Sequence, residues 1–272
     1  MKLLKKIFIY LLLAFCLLIA AFDIWGYFTL GNIEPDQNPV RDATANRVVM
    51  VFGATGSAGD GLLKAAIEDP DVEKVYVITR RSSPRIDAGV ASGKVEMRLH
   101  RDFTDYRSLA DVLPDVNTVL WGLGTSSLQV DDATYSKIHV DFPLSFVIAW
   151  LSARNEGPMS FHFIAGMGTD DDAHWAREKR RTEQTVAAMA DGGGMRSFSY
   201  RSAYIRPSSE RANVGHYVLE ALLRPGKLVI TSKDLGNAML EISARSEELP
   251  NGTLIDNADS IAYAEAYKDI HP

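Results

Sequence analysis

The sequence predicts an α/β fold, a doubly wound parallel sheet in a single domain, and two observations predict it. Short apolar runs recur at residues 48–52, 74–79, 95–100, 117–121, 160–164 and 196–200, each preceded by a helix-like or polar connection. Strands alternating with helices of about 10 to 15 residues build right-handed βαβ units, whose ligands lie beyond the carboxyl ends of the strands. The second observation is the break after the first run, where Gly53, Gly56 and Gly59 lead into the amphipathic pattern Leu62, Leu63, Ala65, Ala66, Ile67. The 272 residues, 46% of them hydrophobic, suffice for one such core and an appendage.

The appendage comes first. Lys2, Lys5 and Lys6 precede an uncharged stretch from Ile7 to Phe22, and after Asp23 the aromatic run Ile24-Trp25-Gly26-Tyr27-Phe28 follows. A bilayer core needs roughly 20 apolar residues, and aromatics suit its interface, so residues 1–30 read as a membrane anchor helix with residues 7–30 in contact with lipid. An uncleaved anchor is preferred to a cleaved signal peptide because Ile19 and Ala21 make a poor small-residue cleavage site. The only cysteine, Cys16, lies inside this segment, so no disulfide framework exists. The lysines ahead of the apolar run predict a cytoplasmic N-terminus, with the domain across the membrane. Residues 31–46, polar and carrying Pro35 and Pro39, read as a tether to a domain over 47–272.

Removing Lys2, Lys5, Lys6 and Asp23 from totals of 29 basic and 35 acidic side chains leaves 26 against 34 outside the anchor. An excess of about eight negative charges excludes nucleic acid as a partner. No feature singles out a protein partner.

The glycine-rich break is a candidate dinucleotide site. Gly53 turns the strand, Gly56 lets backbone approach a pyrophosphate, and Gly59 lets helix and strand pack closely, with Thr55, Ser57 and Ala58 completing the loop. At the end of the second run, Arg80 and Arg81 stand 27 positions beyond Gly53, where a carboxylate for a ribose 2′-hydroxyl is usual. Guanidinium groups there clamp a 2′-phosphate, which favours NADP over NAD. Asp102 and Phe103 after the third run could flank an adenine. Gly122, Leu123 and Gly124 after the fourth are small enough to lie against a cofactor.

Asp170-Asp171-Asp172 suits the start of a helix better than a metal site, with one carboxylate capping and the others favouring the dipole. Arg177, Lys179, Arg180 and Arg181 read as one solvated helix face.

Taken together, Gly53 to Gly59, Arg80, Asp102-Phe103, Gly122 to Thr125, His139-Val-Asp-Phe-Pro143, Arg206-Pro207 and Asp234-Leu-Gly-Asn-Ala-Met239 resemble the short-chain dehydrogenase/reductase superfamily. The likeness runs from Val48 to Ala262 and is strongest to the atypical branch, near the NAD(P)-binding proteins of the Tat-interacting oxidoreductase-like group. It implies a Rossmann fold holding NADP(H). Active relatives end the fifth strand with a serine and carry Tyr-x-x-x-Lys on the next helix. Here Ala165 and Gly166 take the serine positions, and Trp175 stands in the tyrosine position ahead of Lys179. The resemblance therefore implies cofactor binding with Lys179 on the ribose, but not the usual proton transfer. Thr125, Ser126, Thr169, His174 and Tyr204 are candidate substitutes for the proton donor, but none has a partner in sequence and each reads as structural first. Two functions follow: a cofactor-binding or regulatory module, or a reductase for an apolar substrate from the membrane.

Overall fold

The computed structural model describes residues 2–154 and 156–271. Its first strand shows how the sequence builds the sheet. In β1 (Val48–Phe52) every residue is buried, and the side chains alternate. Val48, Met50 and Phe52 enter one core, whereas Val49 and Val51 enter the other. A continuous apolar run is what a strand covered on both faces requires.

The chain continues through α2 (Ser57–Glu68), β2 (Lys74–Thr79), α3 (Pro84–Ala91), β3 (Val95–Leu99), β4 (Thr118–Trp121), α4 (Asp132–Ser136) and α5 (Phe142–Ala153). It then forms β5 (Ser160–Ile164), α6 (His174–Gly193), β6 (Arg196–Arg201), β7 (Tyr204–Arg206), α7 (Val214–Leu223), β8 (Val229–Thr231), α8 (Ser232–Ala244), β9 (Thr253–Asp256) and α9 (Asn257–Ile270). The main sheet has seven strands in the order β3-β2-β1-β4-β5-β6-β9, all parallel. The direction of winding reverses between β1 and β4, which opens a crevice there. All six expected strands are present; the third and fourth are each one residue shorter than the pattern suggested, and the sixth one longer.

Three strands had no signal in the sequence. β7 and β8 form a separate parallel pair, and β9 closes the sheet edge against β6. All three are only three or four residues long, too short to show a period.

Aromatic rings dominate one core, where Phe52, Trp121, Phe146, Trp150 and Phe161 pack under α5 and α6. The other lies under α2, α8 and α9 and is built from smaller side chains. There a Cβ added to Gly236 of α8 would sit 2.6 Å from the Cβ of Ala65 and 3.1 Å from the Cα of Leu62, both on α2. The two helices therefore touch nearly backbone to backbone.

The N-terminal helix, α1 (Lys2–Thr29), is long and apolar enough to cross a membrane, with mean hydropathy 2.7 over an 18-residue stretch within Leu4–Thr29. Residues 31–46, read as a tether, lie along the domain. Ile33 N donates to Asp259 Oδ1 (2.7 Å), and Arg41 bridges to Arg245. Arg41 also pairs with Glu241, a fully buried carboxylate that meets Arg245 as well (2.7 Å). Arg245 in turn donates to the carbonyl of Asp36 (2.9 Å). Buried charge needs pairing, and the polar composition of this segment supplies it.

Gly236→Ala should destabilise the domain by about 1–3 kcal/mol, because neither Ala65 nor the α2 backbone can retreat. Thermal unfolding of purified protein should show a melting temperature several degrees lower.

Candidate functional site

The crevice between β1 and β4 is a cavity of about 430 Å³ lined by Gly53, Thr55, Gly56, Ile78, Thr79, Arg80, Arg81, Phe103, Gly122, Leu123 and Gly124. Nine of the residues singled out in the sequence thus come together from four strand ends.

Gly53 adopts φ +73°, and a Cβ there would meet the carbonyl oxygen of Gly122 at 2.4 Å. A Cβ at Gly59 would come within 2.1 Å of the Gly53 oxygen. At Gly56 the nearest atom to such a Cβ is the Gly53 oxygen, at 3.2 Å. The first and third glycines therefore allow backbone to pack on backbone, and the second leaves its open side to the crevice. Gly56 is also the N-cap of α2, and no side chain caps that end. The first N–H groups, from Ser57, Ala58 and Gly59, are left available to an anion.

Arg80 and Arg81 are exposed at the rim, and among the described residues neither pairs with a carboxylate. Thr79 shapes their loop, its hydroxyl accepting from Arg81 N and donating to Arg81 O. Phe103 is buried in the floor, packed edge-on to Phe52.

Asp102 departs from the expectation. It does not line the cavity, and its Oδ1 accepts from both the amide (3.0 Å) and the hydroxyl (2.6 Å) of Thr104. A carboxylate turned to its own loop closes a local turn in preference to meeting a base.

The end of β5 brings together the residues of the second motif. Ala165 is fully buried and Gly166 takes φ +101°. Lys179 of α6 donates from Nζ to the carbonyls of Ile164 (3.3 Å) and Ala165 (2.5 Å). Burial draws its pKa down to about 8, with Glu183 acting in the opposite direction. Trp175 lies one turn earlier, against Gly168.

The basic stretch is not one solvated face. Besides Lys179, Arg177 donates to the carbonyl of Asp172 and Arg180 to that of Thr169 (2.8 Å), so the cations tie down the loop before the helix. The three aspartates do not cap α6 either: its N-cap is Ala173, with no side-chain bond. Asp170 pairs instead with Arg201 (2.6 Å), and Asp171 accepts from Ala173 N (3.0 Å).

Two of the remaining candidates are held by structural side-chain bonds. Thr169 donates to Gly166 O (2.6 Å), and His174 lies 3.2 Å from the hydroxyl of Ser136. Thr125 N donates to Nε2 of His139 (3.2 Å), a buried imidazole packed at a tilt on Tyr135 at 4.2 Å. Burial, with Lys179 nearby, holds His139 down at about 4, so it is neutral.

Sequence reasoning passed over one contributor. Arg211, from the loop ahead of α7, donates to the carbonyls of Thr55 and Gly56 at 3.0 Å each. The same loop is fixed by Ser208 on Asp60, and by Glu210 on Lys64 (2.7 Å) and Arg85 (3.1 Å). Asp60 also holds Arg85 through two bonds of 3.1 Å. The only cue was the nearby pair Arg206-Pro207.

No family model matches the chain. In structure it is similar to an NAD complex of 3-oxoacyl-[acyl-carrier protein] reductase from Brucella melitensis, with TM-score 0.58 and 16% identity over 79% of this chain and 98% of that one. An oxidoreductase of the short-chain dehydrogenase/reductase family from Burkholderia thailandensis gives TM-score 0.58 and 15% identity, covering 79% and 92%. The fold is that of the short-chain dehydrogenases and reductases. In sequence, 145 residues are 27% identical to the mitochondrial protein FMP52 of Chaetomium globosum, covering 52% of this chain. The chain spans 59% of the length of that relative. In the Brucella melitensis structure this fold holds NAD.

His139 titrates below its unfolded value of about 6.5, so its contribution is intact above that pH and is lost as pH falls towards 4. Relative to His139→Gln, the wild-type protein should lose about 2 kcal/mol more stability between pH 7.5 and 5. Denaturant unfolding at the two pH values measures the difference.

Proposed function

We propose that this is a membrane-anchored NADP(H)-binding protein of the short-chain dehydrogenase type, acting as a cofactor-binding or regulatory module with non-standard redox activity at most. Residues 1–30 form a single-pass anchor, 31–46 a linker and 47–272 the binding domain.

One observation carries the reading: an uncapped glycine-loop helix start faces two exposed guanidinium groups across one cavity. The loop amides of residues 56–59 would hold the diphosphate and Arg80 and Arg81 the 2′-phosphate. Phe103 and residues 122–124 would floor the nucleotide, with Lys179 nearest the ribose. When bound, the nicotinamide carries a hydride. What this chain lacks is the usual route for the accompanying proton. Ala165 and Trp175 offer no hydroxyl, and the Lys179 ammonium is engaged by two carbonyls.

A second reading, NADPH-dependent reduction of an apolar carbonyl drawn from the membrane, is favoured by one feature. A buried amine poised near pH 8 can exchange a proton under physiological conditions.

Calorimetry with NADPH and NADH tests the main reading. The double substitution Arg80→Glu and Arg81→Glu should weaken NADPH roughly tenfold to a hundredfold and leave NADH little changed. Absence of NADPH binding by the wild-type protein would overturn it.

NADPH oxidation with lipophilic aldehydes and ketones decides between the two readings. The module predicts no turnover above background, unchanged by Lys179→Ala. Turnover abolished by that substitution would establish the reductase.

A further inference from the structure

α7 is built inside out. Its one buried residue is Glu220, whose carboxylate meets Arg206 (2.6 Å) and Arg224 (2.5 Å). Several of its apolar side chains face outward instead: Val214 is 79% exposed, Val218 55% and Tyr217 45%. The start of the helix is fixed by a capping box between Asn213 and His216, so this face is an ordered surface. An amphipathic helix in water places its charge outside. One with the opposite arrangement presents its apolar stripe to something that is not water.

The neighbouring element says what that is. α1 packs on this part of the domain through one stripe, with Ile19 and Asp23 partly shielded and Gly26 and Leu30 buried. The loop after α7 receives it: Gly226 N donates to Asp23 Oδ1 (3.1 Å), Lys227 lies over the Tyr27 ring (4.7 Å), and Leu228 packs with Leu30. From Leu4, α1 offers only 15 residues before the first shielded position, Ile19. At 1.5 Å per residue these reach about 22 Å, short of the roughly 30 Å of hydrocarbon. The helix completes a span only if its next turns, which the domain flanks, also enter the bilayer. That brings α7 down to the headgroup level.

We infer that α7 is a second membrane contact, with Val214, Tyr217 and Val218 immersed at the boundary between headgroups and acyl chains. The inference rests on the anchor reading above, and it commits to lipid as the occupant of this face. Because the domain carries excess negative charge, the attraction is apolar and does not need anionic lipid. The helix leads back through Arg211 to the glycine loop, so the cofactor cleft is placed close to the membrane surface.

The test uses the full chain in phosphatidylcholine nanodiscs, with Cys16→Ser as background and one environment-sensitive fluorophore on Leu12→Cys, Val218→Cys or Leu99→Cys. All three sites are exposed, so the fold is kept; Leu99 lies on the opposite sheet edge. Lipids spin-labelled near the headgroup should remove most of the emission at position 218, and labels deeper in the chain most of that at position 12. Position 99 should keep its emission.

Quenching at 12 but not at 218 would overturn the α7 contact and leave the anchor standing. No quenching at 12 would overturn both. Equal quenching at 99 would overturn a defined face. A blue shift at 218 without quenching, growing with protein concentration, would assign the face to a second copy of the chain and likewise overturn the inference.

Discussion

Three backbone segments approach one another more closely than any side chain would allow, and the crevice exists because they do. Gly53 ends β1, Gly59 lies in the first turn of α2, and Gly122 follows β4; added Cβ atoms would collide at 2.1 to 3.1 Å. The contact sets the helix start directly over the switch point of the sheet. It also leaves Gly56 as the surface presented to a ligand. The aromatic core beneath, with Phe52 packed at a tilt on Trp121 at 4.3 Å, holds β1 and β4 in the register that this contact needs.

How much of this could be read from the sequence depended on how local each signal was. β1 and β2 announce themselves as apolar runs bounded by glycine or arginine, and the glycine loop carries its geometry in its spacing. β7, β8 and β9 do not, since three or four residues cannot show a period and are held by tertiary neighbours. Arg211 was invisible for a different reason: its partners are carbonyls 155 and 156 positions away. Asp102, Asp170 and Asp171 mark the opposite failure. Each is the right chemical type in a plausible place, yet a nearby amide, hydroxyl or guanidinium claimed the carboxylate first.

Lys179 shows how one side chain can satisfy a sequence pattern and still change its meaning. Its place on α6 fits the resemblance, but its ammonium closes onto the carbonyls at the end of β5, where Ala165 brings no hydroxyl. The bonds keep a buried cation tolerable. They also link α6 to the strand that borders the cleft, so the residue joins packing to the site whichever chemistry the protein performs.

The strap from residue 31 to 46 reaches the domain through a carboxylate with no exposure at all, Glu241, shared by Arg41 and Arg245. A loose cord would let the globule swivel like a buoy. Riveted along its length, it works more like a bracket, and the mouth of the cleft acquires a fixed compass bearing relative to the leading helix.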